Sequence, residues 1–529
     1  MKLLWMCGVL LATGAVWGED SVPYTRLLRA DQEPGNWLMY SGNYRGYRYS
    51  ALDQIDAGNV GRLRLQWIYQ MKTTHHVETT PLVVDGILYA TRPPNDVVAI
   101  DTRTGRTFWT YHHPVPEDVH ACCGQVNRGL AILDGRLFMS TVDARLIALD
   151  ARSGRLLWEA VQADYRAGYA GTAAPLAVKD KVIAGIAGGE YGIRGFVDAC
   201  DAATGRRVWR FYTIPGPDDP HFGTWEGDSW KTGGGSTWTT GSFDPELNLI
   251  YWGTGNPGPD WNDEHRAGDN LFTDSMVALD ADTGKLKWYF QYTPHDTHDW
   301  DATQVPVLAD LMFAGRQRKL LLHPNRNGFY YVFDRRTGEY LLSRPYVRQT
   351  WAKGIDARGR PIPLPNTSPT EAGVPVWPGS DGGLNWFSPS YNPKTGLLYV
   401  PVREKGEIYF KVEAVYRPGM SFGGGGGKEN PADPGHGVIL AMRPQTGEIL
   451  WRHRMQTAPW SGVLSTAGGL VFGSTMEGQF FALDARTGND LWHFPANDVS
   501  FANPISYLSH GRQQVAIAIG DVLMAFGLD

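Results

Sequence analysis

The sequence predicts an all-β fold, an eight-bladed β-propeller with tryptophan-docking repeats, and three observations predict it. One hairpin signature recurs seven times along the chain. Apolar strands precede it, giving units of four strands at a period of about 40–50 residues, which is the mark of a propeller. Turn formers are in excess: 63 Gly and 34 Pro are 97 of 529 residues, about 18% against a usual ~12%. With 42% hydrophobic residues and 20 Trp, the chain can bury a large core, which excludes a disordered or fibrous protein.

The elements follow in chain order. Met1-Lys2, an apolar run from Leu3 to Leu11 and small residues up to Gly18 read as a secretory signal peptide over 1–18, with cleavage near Gly18. Residues 19–529 then form one propeller domain. Leu63 to Trp67 resembles a lone return strand. The repeat comes next: an apolar strand ending in Asp, a Thr/Ser-Gly turn and, after three intervening residues, Trp. It runs from Asp101 to Trp109, Asp150 to Trp158, Asp201 to Trp209, Asp280 to Trp288, Asp334 to Leu342, Arg443 to Trp451 and Asp484 to Trp492. Asp and Gly make the turn, and Trp opens the return strand. The wider gaps contain the turns 244–248 and 392–396, read as inner hairpins of units carrying long insertions. Gln514 to Ile519 and Val522 to Phe526 supply the missing strands of the split unit, so the two chain ends would close the ring. Loops at one mouth of the central channel would then hold the functional residues.

Charge and cysteine content narrow the function. A net charge of −6 with no block of five like charges argues against nucleic acid as a partner, and no stretch beyond the leader approaches eighteen apolar residues, so no membrane span is expected. These features point to a periplasmic protein. Beyond the leader, which takes Cys7, the cysteines are Cys122, Cys123 and Cys200. The adjacent pair is a candidate for a bridge between neighbours in an oxidising compartment, and Cys200, in a repeat strand, reads as a small buried hydrophobe. No Cys-x-x-Cys-His occurs, so this chain carries no c-type haem site.

Several polar segments are not explained by the repeat. Glu78 stands just before a strand, His120 to Gly124 precedes Arg128, and Tyr169 to Pro175 is a small-residue loop around Thr172. Gly188 and Gly189 flank Glu190 in a turn, and Gly233 to Trp238 brings Ser236 and an indole out of a glycine run. Gly253 to Pro257 presents Asn256, and Pro294 to Asp301 clusters Asp296, Asp299 and Asp301 with His295 and His298. Glu190, Asn256, Asp299 and Asp301 are hard oxygen donors on turns, suited to calcium or a more highly charged cation rather than zinc. The two histidines would suggest a transition metal only beside a second ligand pair. Taken singly, each of these residues is a common turn former. The five glycines 423–427 read as a surface loop, with a mobile lid over the channel as the alternative.

These segments, in this order and across nearly the whole mature length, resemble the quinoprotein alcohol dehydrogenases of the methanol and ethanol dehydrogenase family, which use pyrroloquinoline quinone (PQQ). Asn325-Arg326-Asn327-Gly328 and Gly382-Gly383-Leu384-Asn385-Trp386 add to the likeness. The resemblance implies that Cys122 and Cys123 form a disulfide ring on one face of the flat cofactor while Trp238 stacks on the other. Glu78, Arg128, Thr172, Ser236, Arg326 and Asn385 would bind its carboxylates and carbonyls, with Gly188 and Gly189 leaving room beside Glu190. Glu190 and Asn256 match metal ligands, and Asp299 matches the catalytic base as well as a ligand. Asp301, two residues on, resembles the additional ligand of the lanthanide-dependent branch, so a lanthanide is favoured and Ca2+ is the alternative.

The reaction implied is oxidation of a small primary alcohol, or a secondary one, by hydride transfer to metal-polarised PQQ, with electrons passing to a soluble cytochrome c. Two features depart from the family pattern. His298 stands where many relatives have Trp, and Ala187 where calcium enzymes often offer a serine. A homodimer is an assembly that the sequence allows without requiring it. Competing readings are a sugar or polyol dehydrogenase of the same fold, and a propeller that only binds proteins. The last leaves Cys122, Cys123, Glu190, Asn256 and Asp299 without a shared purpose.

Overall fold

The computed structural model describes residues 22–529, so the leader expected over 1–18 lies outside the described residues. The fold is all-β: among the described residues the one α-helix is the four-residue Tyr24–Leu27. The described residues build seven four-stranded sheets and one five-stranded sheet, with two smaller sheets of two and three strands. Within the first large sheet the order is Leu82–Val84, Ile87–Arg92, Asp96–Asp101, Thr107–Tyr111, a simple antiparallel meander. Most innermost strands, such as Leu82–Val84, are buried throughout, whereas outer strands such as Leu156–Val161 are exposed or half-buried along their length. An inner strand lies between two neighbouring sheets and meets apolar side chains on both faces.

The repeat explains how one sheet docks on the next. In each turn the Gly takes a positive φ, +71° at Gly105 and +69° at Gly284. The indole of the preceding sheet packs against that glycine: a Cβ on Gly284 would lie 2.5 Å from the Trp209 ring, so no larger residue fits. The indole N–H then donates to the carbonyl just after the repeat Asp. Trp67 reaches Thr102, Trp109 reaches Ala151, Trp158 reaches Ala202, Trp209 reaches Ala281, Trp288 reaches Arg335 and Trp451 reaches Ala485. Leu342 has no indole, and there Tyr330 Oη donates to Pro444 O instead. Trp492 meets Phe526 edge-on, 5.5 Å between ring centres. Beside each docking position the pairing slips by one residue, a bulge that turns the side chain toward its neighbour.

The turns 244–248 and 392–396 do join inner hairpins, and the N-terminal strand Arg64–Gln70 pairs with the C-terminal Val522–Gly527. One expectation is corrected. The glycine run is not a free surface loop: Gly425–Glu429 is a strand paired with Glu407–Lys411 in the three-stranded sheet. Its glycines allow close approach. A Cβ on Gly423 would lie 2.8 Å from the Trp261 ring, and Phe422 N–H donates to the Glu190 carbonyl at 2.6 Å.

Candidate active site

A cavity of about 390 Å3 lies where loops of all eight large sheets converge. Its wall residues precede the first strand of a sheet, as Glu78, Arg128, Thr172, Trp238, Asp299, Asp301, Asn385, Trp460 and Phe501 do, or join its second and third strands, as Gly188, Glu190 and Arg326 do. In an antiparallel meander these two connections lie on the same edge, so topology alone gathers residues from distant parts of the chain. The volume falls within the range of small-molecule sites.

One part of the wall combines a buried guanidinium with indoles and a disulfide. Cys122 and Cys123 form a disulfide between neighbours, and both line the cavity with Trp238. Arg128 is buried and places Nη2 2.7 Å from Glu78 Oε2 while Nη1 donates to Thr172 Oγ1 at 2.9 Å. Its guanidinium carbon lies 4.7 Å from the ring centre of Trp238 and 4.8 Å from that of Trp386. Burial pushes the Glu78 carboxyl up to about 7 despite the opposing pull of Arg128.

The opposite character prevails around Asp299 and Asp301. Asp299 holds a left-handed backbone, φ 60°, uncommon for a side-chain-bearing residue and typical of strained functional positions. Asp301 is nearly sealed off: Oδ1 accepts from Asn256 N–H at 2.9 Å, and Oδ2 accepts from Trp238 Nε1 at 3.0 Å and from Arg326 Nη1. Arg326 Nη2 lies 3.7 Å from Asp299 Oδ2 and also holds Ser380 O. Asn256 donates through Nδ2 to Asp260 Oδ1 at 2.8 Å. Burial raises the Glu190 carboxyl to about 7, with Asp301 adding to it, and holds Asp299 well above the carboxylate range, where Arg326 opposes and the neighbouring acids reinforce the shift. Several carboxylates thus share one guanidinium. Such a cluster is stabilised by an added cation with oxygen ligands.

The family profile of the PQQ glucose/ethanol/alcohol dehydrogenase β-propeller domain matches residues 37–345 and 436–515. This chain belongs to the PQQ-dependent alcohol dehydrogenase family. The quinohemoprotein alcohol dehydrogenase ADH IIB of Pseudomonas putida is 40% identical to this member over 98% of the chain and 78% of its own length. The lanthanide-dependent methanol dehydrogenase of Methylacidiphilum fumariolicum (strain SolV) is 39% identical, over 95% and 87% respectively. Among solved structures, a europium-containing methanol dehydrogenase superposes with a TM-score of 0.90 at 36% identity, covering 95% of this chain and all of that one.

The residues present fit what a PQQ-dependent alcohol dehydrogenase must hold. The cavity joins a disulfide, indoles and a buried guanidinium, a set that could take a planar polyanion, to an acidic end that could take a hard cation. Glu78, Cys122, Cys123, Arg128, Thr172, Gly188, Glu190, Trp238, Asp299, Asp301, Arg326 and Asn385 all line it. Gly189, Ser236 and Asn256 do not: they are packed just behind, where a Cβ on Gly189 would lie 3.2 Å from Ser236 Oγ and 3.9 Å from Asn256 Oδ1. Asn385 uses its amide locally, on Asp381 O and Trp386 N–H. The histidines do not converge. His295 faces Asp263, and His298 bonds Thr367 O and stacks on Trp300 at 4.2 Å, outside the cavity.

Cys122, Cys123 and Glu190 bring ligand-type atoms within 4.8 Å of one another, but sulfurs tied in a disulfide are not thiolate ligands. Sequence reasoning missed His76, Ser380, Asp381, Trp460 and Phe501, because single residues in loops carry no periodic signal, gave Trp386 no role beyond its motif, and missed Asp260, three residues beyond the turn that ends at Pro257. Cys200 is buried and free, its thiol pushed up to about 12 by burial.

Proposed function

We propose that the chain is a secreted, periplasmic dehydrogenase that oxidises a small primary alcohol, with the eight large sheets as blades of one closed ring. The observation that carries this reading is the acidic end of the cavity, where Asp299 and Asp301 share Arg326 beside Glu190. In this reading the Cys122–Cys123 bridge and Trp238 would hold PQQ, Arg128 and Arg326 would pair with its oxygens, and Glu190, Asn256, Asp299 and Asp301 would hold one cation. When bound, the cofactor and its cation supply an electrophilic two-electron acceptor.

The protein's own groups do the rest. Asp299, as carboxylate, takes the hydroxyl proton of the alcohol at an Oδ atom. Arg326 holds that carboxylate in place, and its anchor on Ser380 O keeps the guanidinium from swinging away. Trp386, Trp460 and Phe501 exclude water from the cavity. The three hydrogen bonds to Asp301 fix its carboxylate and oppose the upward push of burial on its pKa, and a negative oxygen held there attracts a trivalent ion more strongly than Ca2+. A soluble cytochrome c would accept the electrons.

The test is dye-linked oxidation of ethanol after reconstitution with PQQ and either lanthanum or calcium. Activity is expected with lanthanum, and Asp299→Asn should lower kcat by about 10²–10⁴-fold while PQQ still binds. Full activity in Asp299→Asn would remove Asp299 as the base, and better activity with calcium would overturn the lanthanide assignment.

A further inference from the structure

Asp260 has no part in the mechanism above, yet it is 1% exposed and uses only half of its carboxylate. Oδ1 accepts from Asn256 Nδ2 at 2.8 Å, while Oδ2 is buried with no donor in reach. The neighbouring guanidinium does not serve it. Arg266 donates to Pro259 O, Asn270 Oδ1, Asp296 O and the Asp260 backbone carbonyl, and none of these is the carboxylate. The charged groups acting most strongly on Asp260 include Glu190 and Asp301, which repel it. A buried carboxylate with an unused oxygen among like charges is costly unless a positive charge joins it. Asp260 and Glu190 together also line a second cavity of about 440 Å3, which shares Glu190 and Cys122 with the first.

The bond to Asn256 has a directional consequence. An amide offers a cation its oxygen only if its NH2 group is turned away. With Nδ2 held by Asp260, Asn256 Oδ1 faces the Gly189 and Ser236 side, next to Glu190.

We propose that Asp260 is a positioning residue of the cation site: it orients the Asn256 amide so that Oδ1 faces the ion, and it adds a fourth carboxylate that favours a trivalent over a divalent ion. This rests on the reading that a cation sits among Glu190, Asn256, Asp299 and Asp301. Asp260 acts through Asn256 and through space. Each added negative charge attracts a trivalent ion one and a half times as strongly as a divalent one at the same distance, so its removal narrows the preference.

The test is a titration of the full chain with Tb3+, read by tryptophan-sensitised luminescence with and without PQQ, and with Ca2+ by competition. Wild type, Asp260→Asn, Asp260→Ala and Glu190→Gln are compared, and thermal melts check that each is folded. Asp260→Asn keeps an acceptor for Asn256 and loses only the charge. It should weaken Tb3+ by at least about tenfold and Ca2+ by less. Asp260→Ala frees the amide as well and should weaken both ions further. Wild-type affinity for both ions in the two Asp260 variants, with binding lost in Glu190→Gln, overturns this inference and leaves the cation site standing. No binding by wild type overturns both. Should Asp260→Ala fail to fold, the isosteric Asp260→Asn carries the test alone.

Discussion

Arg128→Met should destabilise the protein in a manner set by pH. Arg128 and Glu78 are 4% and 5% exposed and 2.7 Å apart. At an effective dielectric constant near 20, two unit charges at that distance attract by 332/(20 × 2.7), about 6 kcal/mol, much of which only offsets the cost of burying them. Removing one partner of a buried pair costs about 3–5 kcal/mol. An unfolding entropy of about 2.1 cal/mol/K per residue gives about 1.1 kcal/mol/K for 529 residues, so the Tm should fall by about 4 °C. Glu78 sets the pH dependence. Its carboxyl is raised to about 7, so folding favours its protonated form; that contribution is complete below about 4.5 and is lost as pH rises through about 7. At pH 5 Glu78 is neutral in the native state, and losing Arg128 should cost only about 1–2 °C from missing hydrogen bonds. At pH 8 the full loss should appear, and Glu78→Gln added to Arg128→Met should recover most of it. Calorimetry on protein without PQQ or metal measures this. Equal losses at pH 5 and pH 8, or a double variant no more stable than Arg128→Met, would refute the pairing argument.

The docking between sheets makes a graded prediction. Trp209→Phe loses the hydrogen bond to Ala281 O and should cost about 1 kcal/mol. Gly284→Ala, at φ +69° with the Trp209 ring against it, should cost about 1–3 kcal/mol, read by urea unfolding; a stabilised Gly284→Ala would contradict the packing described. Arg266, fully buried, ties the loop of Asn256 to that of Asp299 through Pro259 O and Asp296 O. Arg266→Lys cannot span both carbonyls and should lower kcat at least about tenfold with little change in KM, because misplacement by ~1 Å is costly. Unaltered kcat would show that the two loops hold their places without it.

Much of the architecture is legible in the sequence because the repeat is local. Asp, Gly and Trp at fixed offsets specify a turn, a positive φ and a docking indole within about ten residues, and the same physics acts in each copy. The likeness of Leu63 to Trp67 to a return strand made the pairing of the chain ends legible too. Residues singled out in the sequence come together where they fall on the connections that topology brings to one edge: Glu78, the cysteine pair, Trp238, Asp299 and Asp301 line one cavity there.

Other features depend on partners far away in the chain. Ser236 and Asn256 sit behind the wall together with Gly189, from another sheet, which packs close against both. His298 turns from the cavity because Thr367 and Trp300 hold its ring. The glycine run becomes a strand because Glu407–Lys411 offers it an edge and Trp261 needs its thinness. The sequence by itself therefore determined the sheets, their docking and the chemical kinds of residue in the site. The tertiary structure decided which side chains face the cavity, which stand behind it and how far their burial moves their charges, since a loop side chain is oriented by contacts that no local pattern encodes.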